Sequence, residues 1–311
     1  MTAAEHPVPS ARARELVRGG YDVHIHIEPD VVRRRTTDVQ LARRFAELGL
    51  AGFGLKSHYT STAERARVVS EAVPEVDTIG TITLNRAVGG LNPVAVEIAA
   101  REGARIVWFP TVSSENEQHE VMAADPDGKV PVWVRFELEL RAAGVVPEPV
   151  RVVDGGGALV PEARAVLDVV ARHDLVLATG HLSRDEIFAL VDGAVDAGVR
   201  TIVITHPEFP SQRIGIEDQL ELASRGAIME RAFTTPYTGK CSWEQVFEAT
   251  RAVGPERTVW STDLGQVFNP PVEDGLAIMA DRFLEAGFSD QEVRTMAVRN
   301  TRRLAGREEG A

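Results

Sequence analysis

The sequence predicts a (β/α)8 barrel, and three observations predict it. Eight short apolar runs rich in valine and isoleucine occupy residues 21–27, 51–56, 76–84, 104–110, 175–179, 201–205, 227–230 and 258–262. Several carry apolar side chains at consecutive positions, as in Thr201-Ile202-Val203-Ile204-Thr205, which suits a parallel strand covered on both faces. Amphipathic stretches fall between the runs, so that strand and helix alternate eight times, the pattern of a barrel rather than an open doubly wound sheet. A length of 311 residues is ordinary for one barrel, and the whole chain, 1–311, is read as a single domain.

The helices are expected over 38–48, 61–72, 92–101, 161–173, 183–197, 216–224, 242–253 and 273–286. Ser61-x-x-Glu64 and Ser183-x-x-Glu186 have the form of capping boxes, in which side chain and backbone satisfy each other's free donors at a helix start. Asn92-Pro93 sets an N-cap residue before a proline at the first helical position. A last helix, 290–304, is expected to pack under the barrel. The repeat breaks once, after the fourth strand, where residues 111–160 form a stretch too long for a structureless loop. They read as an inserted subdomain over the mouth, with 150–153 as one strand of a hairpin. Its Asp154-Gly155-Gly156-Gly157 reads as a turn, because it lacks the context of a phosphate-binding loop.

Composition narrows the function. The formal charge of −12 argues against nucleic acid and against an anionic membrane surface, since both want a basic face. A small-molecule substrate, an anionic one included, fits, and homo-oligomer formation is left open. Cys241 is the single cysteine, so no intrachain disulfide forms, as expected in a reducing compartment. No signal peptide or bilayer-spanning apolar run is visible, and a cytoplasmic location is expected.

The chemistry gathers at the strand ends. In Tyr21-Asp22-Val23-His24-Ile25-His26-Ile27 two histidines sit two residues apart, and on a strand such residues share a face. Two imidazoles at one strand end make half of a tetrahedral zinc site. Five of the eight histidines, His24, His26, His58, His181 and His206, fall at C-terminal strand ends, and Asp263 ends the eighth strand. That rim is where such barrels build active sites. Of the others, His119 lies in the insertion, and His6 and His173 lie off the rim. Trp108, Trp133, Trp243 and Trp260 read as packing residues.

This constellation (His24-x-His26 on strand one, His181 on five, His206 on six and Asp263 on eight) resembles the amidohydrolase superfamily of metal-dependent hydrolases over nearly the whole chain. More narrowly, segments 52–59, 84–93 and 179–183 are similar to an uncharacterised bacterial branch of it. The resemblance implies that His24, His26 and Asp263 hold one divalent metal, that His181, and in many members His206, holds a second, and that Asp263 moves the proton of the attacking water. One or two metals per chain are expected, with nitrogen-rich ligation favouring zinc and leaving manganese or iron open. The substrate class implied is a small amide, cyclic amide or lactone.

One departure matters. Two-metal members often carry a bridging carboxylated lysine on strand four, where this chain reads Val107-Trp108-Phe109-Pro110-Thr111. The nearest candidate is Lys56 at the end of strand two, either as a carbamate bridge or as a cationic contact to substrate or transition state. If Lys56 is no bridge, a mononuclear site is the more natural, with His206 free to act as base or to orient substrate. Further rim residues are His58 and Tyr59 as pocket lining and Arg86 as a carboxylate clamp. Glu230 is read as a pocket residue or as the partner that orients a ligating histidine. Asp22 is placed on the face of the strand-one histidines. The same ligands would also serve a non-hydrolytic decarboxylase or isomerase of a small carboxylic acid, a phosphoesterase, or a non-catalytic metal- or ligand-binding barrel.

Overall fold

The computed structural model describes residues 6–123, 132–145 and 148–307. Eight strands, β1 Tyr21–Ile25, β2 Gly52–Leu55, β3 Asp77–Thr83, β4 Ala104–Trp108, β5 Val176–Ala178, β6 Thr201–Ile204, β7 Ile228–Ala232 and β8 Thr258–Ser261, form one sheet. They lie in sequence order, each paired parallel to the next. All eight predicted runs are strands, and the architecture is a (β/α)8 barrel.

The seam between β8 and β1 closes just past β8. The Asp263 N–H donates to the His24 carbonyl at 2.8 Å, and the His26 N–H donates to the Leu264 carbonyl at 2.8 Å. Below these bonds the Asp22 carboxylate bridges the seam, accepting the Thr262 N–H at 2.9 Å and its hydroxyl at 2.5 Å. Asp22 is fully buried, and burial pushes its carboxyl up to about 7 against those bonds. Asp22 therefore does not share the histidine face. The β1 register advances three residues, Asp22 to Ile25, while β2 advances two, Phe53 to Leu55. This one-residue bulge lets Val23 pack into the barrel interior while His24 and His26 both turn to the mouth.

The interior is filled, not hollow. Tyr21, Val23, Ile79, Ile106, Val176 and Val259 pack together with Leu304 and Ala305 of the C-terminal segment. That segment closes the floor: the Tyr21 N–H donates to Thr301 Oγ1 at 3.1 Å, and Asn300 Nδ2 donates to the Thr258 carbonyl at 2.6 Å. The helix expected over 290–304 is there, interrupted by a π-helical turn at Thr295–Arg299. Two larger apolar layers fill the space between sheet and helices, holding Trp260 and, at its edge, Trp243.

The helices between the strands match the predicted segments to within one or two residues at each end, and an unpredicted helix, Ala11–Val17, precedes β1. Asn92 Oδ1 accepts the Val94 and Ala95 N–H groups, and the Glu186 carboxylate accepts both the N–H and the hydroxyl of Ser183. The Ser61–Glu64 capping box does not form. The helix starts at Ala63 after Thr62, whose hydroxyl instead donates to the Leu55 carbonyl at 2.6 Å, tying the end of β2 to the loop. Between β4 and β5 the described residues form helices Glu115–Ala123 and Val132–Ala142. They are followed by a single antiparallel bridge, Val153 to Leu159, around the turn at Asp154–Gly157. There Asp154 Oδ1 accepts the Gly156 and Ala158 N–H groups, so the triple glycine is a turn. The side chain of Trp133 lies outside the described residues.

Candidate metal centre

The mouth of the barrel gathers five imidazoles. Ring centroids of His24 and His26 are 5.4 Å apart, His26 and His58 4.7 Å, His58 and His181 6.5 Å, His181 and His206 4.9 Å, and His206 and His24 6.0 Å. The histidines predicted at the rim therefore close a ring. Two of the turns that present them use left-handed backbone at residues that rarely adopt it, with φ +26° at His206 and +53° at Asp263. Such conformations cluster where a site demands them.

On one side of this ring three ligand groups converge. Asp263 Oδ1 lies 3.3 Å from His24 Nε2 and 3.2 Å from His26 Nε2. Among the described residues, this is the one group of three or more histidine, cysteine or carboxylate side chains gathered closely enough to share an ion. With bonds of about 2.0–2.1 Å in tetrahedral geometry, two ligand atoms of zinc stand about 3.3 Å apart, so the spacing fits a metal. The partners of these groups fit it as well. His24 Nδ1 faces Glu230 Oε1 at 2.8 Å, which directs the Nε2 lone pair to the mouth. Glu230 accepts the Ser261 hydroxyl at 2.6 Å, and Thr234 Oγ1 donates to Asp263 Oδ2 at 2.9 Å, leaving Oδ1 for the histidines.

The electrostatics suit ligation. Burial pushes His26 and His206 down to about 3, so both are neutral at pH 7. Burial would raise the Asp263 carboxyl, but His24, His26 and Lys56 hold it well below the usual carboxylate range. Burial would likewise raise Glu230, which His24, His206 and Ser261 hold at about 2. Neutral imidazoles and ionised carboxylates are the protonation states a divalent metal requires.

Lys56 belongs to this side. Its Nζ lies 2.8 Å from His24 Nε2 and 5.0 Å from the centre of the Trp108 ring, which occupies the strand-four position. Burial lowers it to about 8 against the pull of Asp263, Glu230 and Glu117.

The other side of the ring is less complete. The Nδ1 atoms of His181 and His206 are buried without a hydrogen-bond partner. Glu117 Oε2, from the helix after β4, approaches His181 Nδ1 at 3.4 Å. The same segment fixes the His181 backbone: Ser114 Oγ and Asn116 Nδ2 donate to its carbonyl at 2.9 and 3.1 Å. Phe209 lies against both rings, 5.6 Å from His181 and 4.8 Å from His206, and Lys240 Nζ sits 4.0 Å over the Phe209 ring.

The remaining predicted residues divide. Tyr59 lies beside His58 and meets Phe136 of the helix Val132–Ala142 at 5.6 Å. Glu230 sits at the centre, buried behind His24 and facing that ring's Nδ1, the orienting position expected for it. Arg86 does not join the mouth. It is exposed and donates to the carbonyls of Glu148 and Pro149, so its guanidinium ties down the inserted segment in place of the carboxylate clamp expected from its position after strand three. His119 is exposed, and His173 pairs with Glu97 on the surface. The sequence reading missed Glu117, Thr234, Lys240, Asn85 and Thr111. Asn85, Thr111, Thr234 and Lys240 are in loops or at element ends and Glu117 is in the first turn of a helix, where no periodicity marks a residue for function.

The chain matches DUF6282, a family of unknown function, over residues 19–230. No curated protein matches it in sequence. Among solved structures it is similar to an amidohydrolase from Pseudomonas aeruginosa, with a TM-score of 0.61, 12% identity, and coverage of 94% of this chain and 99% of that one. It is also similar to the probable dipeptidase PvdM from Pseudomonas aeruginosa (TM-score 0.60, 12% identity, 95% and 97% coverage). A third likeness is to an organophosphate-hydrolysing protein engineered from a weak promiscuous lactonase template (TM-score 0.55, 14% identity, 94% and 96% coverage). At these identities the likenesses establish a shared fold. The chain thus belongs to the DUF6282 family, built on the barrel seen in amidohydrolases.

Proposed function

We propose that this protein is a metal-dependent hydrolase of a small amide, cyclic amide or lactone. The observation that carries the reading is the group His24, His26 and Asp263, spaced at 3.2–3.3 Å with the far nitrogen of His24 fixed by Glu230. These three residues would hold one divalent ion, and the nitrogen-rich set favours zinc over magnesium or calcium, with manganese or iron as alternatives. When bound, the metal supplies a nucleophilic water at neutral pH and polarises a carbonyl.

The chain's own residues do the rest. Asp263, kept ionised by its neighbours, accepts the proton of the attacking water at Oδ1 and returns it to the leaving group. Thr234 holds the other oxygen and fixes the carboxylate plane. His206 and His181 face the same space and orient substrate. Lys56, buried beside His24, contacts developing negative charge or, if its amine took up carbon dioxide as a carbamate, would help His181 and His206 hold a second ion. The helix Val132–Ala142 borders the mouth, with Phe136 against Tyr59. Lys240 favours a substrate that carries a carboxylate: among the described residues no acidic group pairs with its ammonium, which feels Asp263 and Glu117 from the rim. That feature suits the decarboxylase reading equally well.

Metal content and the fate of water test the proposal together. Protein purified without chelator is expected to carry about one equivalent of metal, or about two if Lys56 is a carbamate. Turnover of lactone and dipeptide probes in H₂¹⁸O is expected to place one labelled oxygen in the product. A product without label moves the assignment to decarboxylation or isomerisation. A chain that holds no zinc or manganese even when supplied loses the reading altogether.

A further inference from the structure

The hydrogen bonds behind His58 determine which of its nitrogens carries the proton. The chain starts at Asn85, which is buried. Its Oδ1 accepts two backbone N–H groups, from Thr111 at 2.9 Å and Ser113 at 3.1 Å, so the orientation of the amide follows from the backbone. Its Nδ2 must then be a donor, and it donates to the His58 carbonyl at 3.0 Å and to Thr111 Oγ1 at 2.8 Å. Thr111 Oγ1 also lies 2.9 Å from His58 Nδ1. A hydroxyl has a single hydrogen, and the lone pair toward Asn85 is taken. Among the described residues His58 Nδ1 is the one acceptor within reach of that hydrogen. Nδ1 therefore accepts, and the ring proton sits on Nε2.

His58 also stands where a donor would be useful. Its ring stacks on His26 at 4.7 Å and faces His181 at 6.5 Å, so it borders both halves of the mouth. Nδ1 is engaged by Thr111, and among the described residues no hydrogen bond occupies Nε2.

We propose that His58 is held by the Asn85–Thr111 pair as the Nε2–H tautomer and donates a hydrogen bond to the substrate oxygen on which negative charge develops, and that it is not a metal ligand. The proposal rests on the hydrolase reading for its substrate oxygen, but the tautomer and the non-ligand role stand apart from it. A fixed donor aimed at developing charge is worth about 10²–10³-fold in turnover.

The test combines ¹⁵N-histidine NMR on zinc-loaded protein with variants at both ends of the relay. In the wild type His58 is expected to show a protonated Nε2 and an unprotonated Nδ1. In T111V, which keeps the shape and removes the hydroxyl, the two tautomers are expected to mix. H58L is expected to bind as much metal as the wild type while its turnover of the probe that the wild type hydrolyses falls about 10²-fold. H58Q, whose amide nitrogen reaches the place of Nε2, should recover part of that loss. A proton on Nδ1 in the wild type overturns the proposal, and so does loss of metal in H58L or H58Q. Turnover of T111V and H58L within about threefold of wild type overturns it too. If the wild type hydrolyses none of the probes, the hydrolase reading fails, and the NMR and metal content still decide the tautomer and the ligand question.

Discussion

The two halves of the histidine ring are built differently. On the β1–β8 side two of the three ligand groups have the far atom occupied, by Glu230 on His24 and Thr234 on Asp263, while His26 keeps a buried Nδ1 without a partner. On the β5–β6 side His181 and His206 keep buried Nδ1 atoms without partners, and Glu117 reaches the first of them at 3.4 Å. Most of the first half is fixed from behind by a carboxylate and a hydroxyl. The second is organised by packing and by the inserted segment, and its polar atoms await something from outside. A buried polar atom without a partner is costly, so the second half is expected to gain more from an occupant than the first.

The sharpest way to break this contrast is Asp263→Asn. It keeps the shape of the first half and removes the proton acceptor, so turnover should fall about 10²–10⁴-fold with the fold intact, as steady-state kinetics and circular dichroism would show. A loss within tenfold would take the proton-transfer role from Asp263.

A pair of alanine variants compares the halves directly. H24A should lose most of its metal, whereas H181A should keep about one equivalent and lose turnover, both read by elemental mass spectrometry and kinetics. Equal metal loss in the two would place His181 in the first metal's ligand set. Next in size is Glu230→Gln, which leaves every ligand in place but weakens the hold on His24. Zinc affinity should drop about 10–100-fold in a competition titration. The smallest effect belongs to Lys240→Met at the rim of the second half. KM for a carboxylate-bearing probe should rise about threefold to tenfold, while a neutral analogue is unaffected.

Much of the barrel was legible because its signals are local. Alternating runs and caps such as Asn92 and Ser183–Glu186 depend on neighbours a few residues away. The site was legible where it follows strand ends, since His24, His26, His206 and Asp263 keep phase with the repeat. What could not be read depends on register or on contacts distant in the chain. The bulge that separates Asp22 from the histidine face arises only when β1 pairs with β2. Thr62 looked like part of a helix start until its hydroxyl found the end of β2. Arg86 carries the same chemistry whether it holds a ligand or two carbonyls of the inserted segment, and only the fold decides. Asn85 and Thr111 lie 26 residues apart and act as a unit only once β3 and β4 are side by side.

Gly265 has φ +137°, and a Cβ there would lie 1.5 Å from the His26 carbonyl oxygen. No other residue fits both the backbone angle and the space. The position works as a lock on sequence change: a library randomised at 265 and selected for metal binding should return glycine almost alone. For a homologue, Asp-x-Gly after the last strand then says more about the site than the aspartate by itself. An aspartate followed two residues later by any side chain must sit on a loop that leaves β1 by another route, whatever histidines β1 carries.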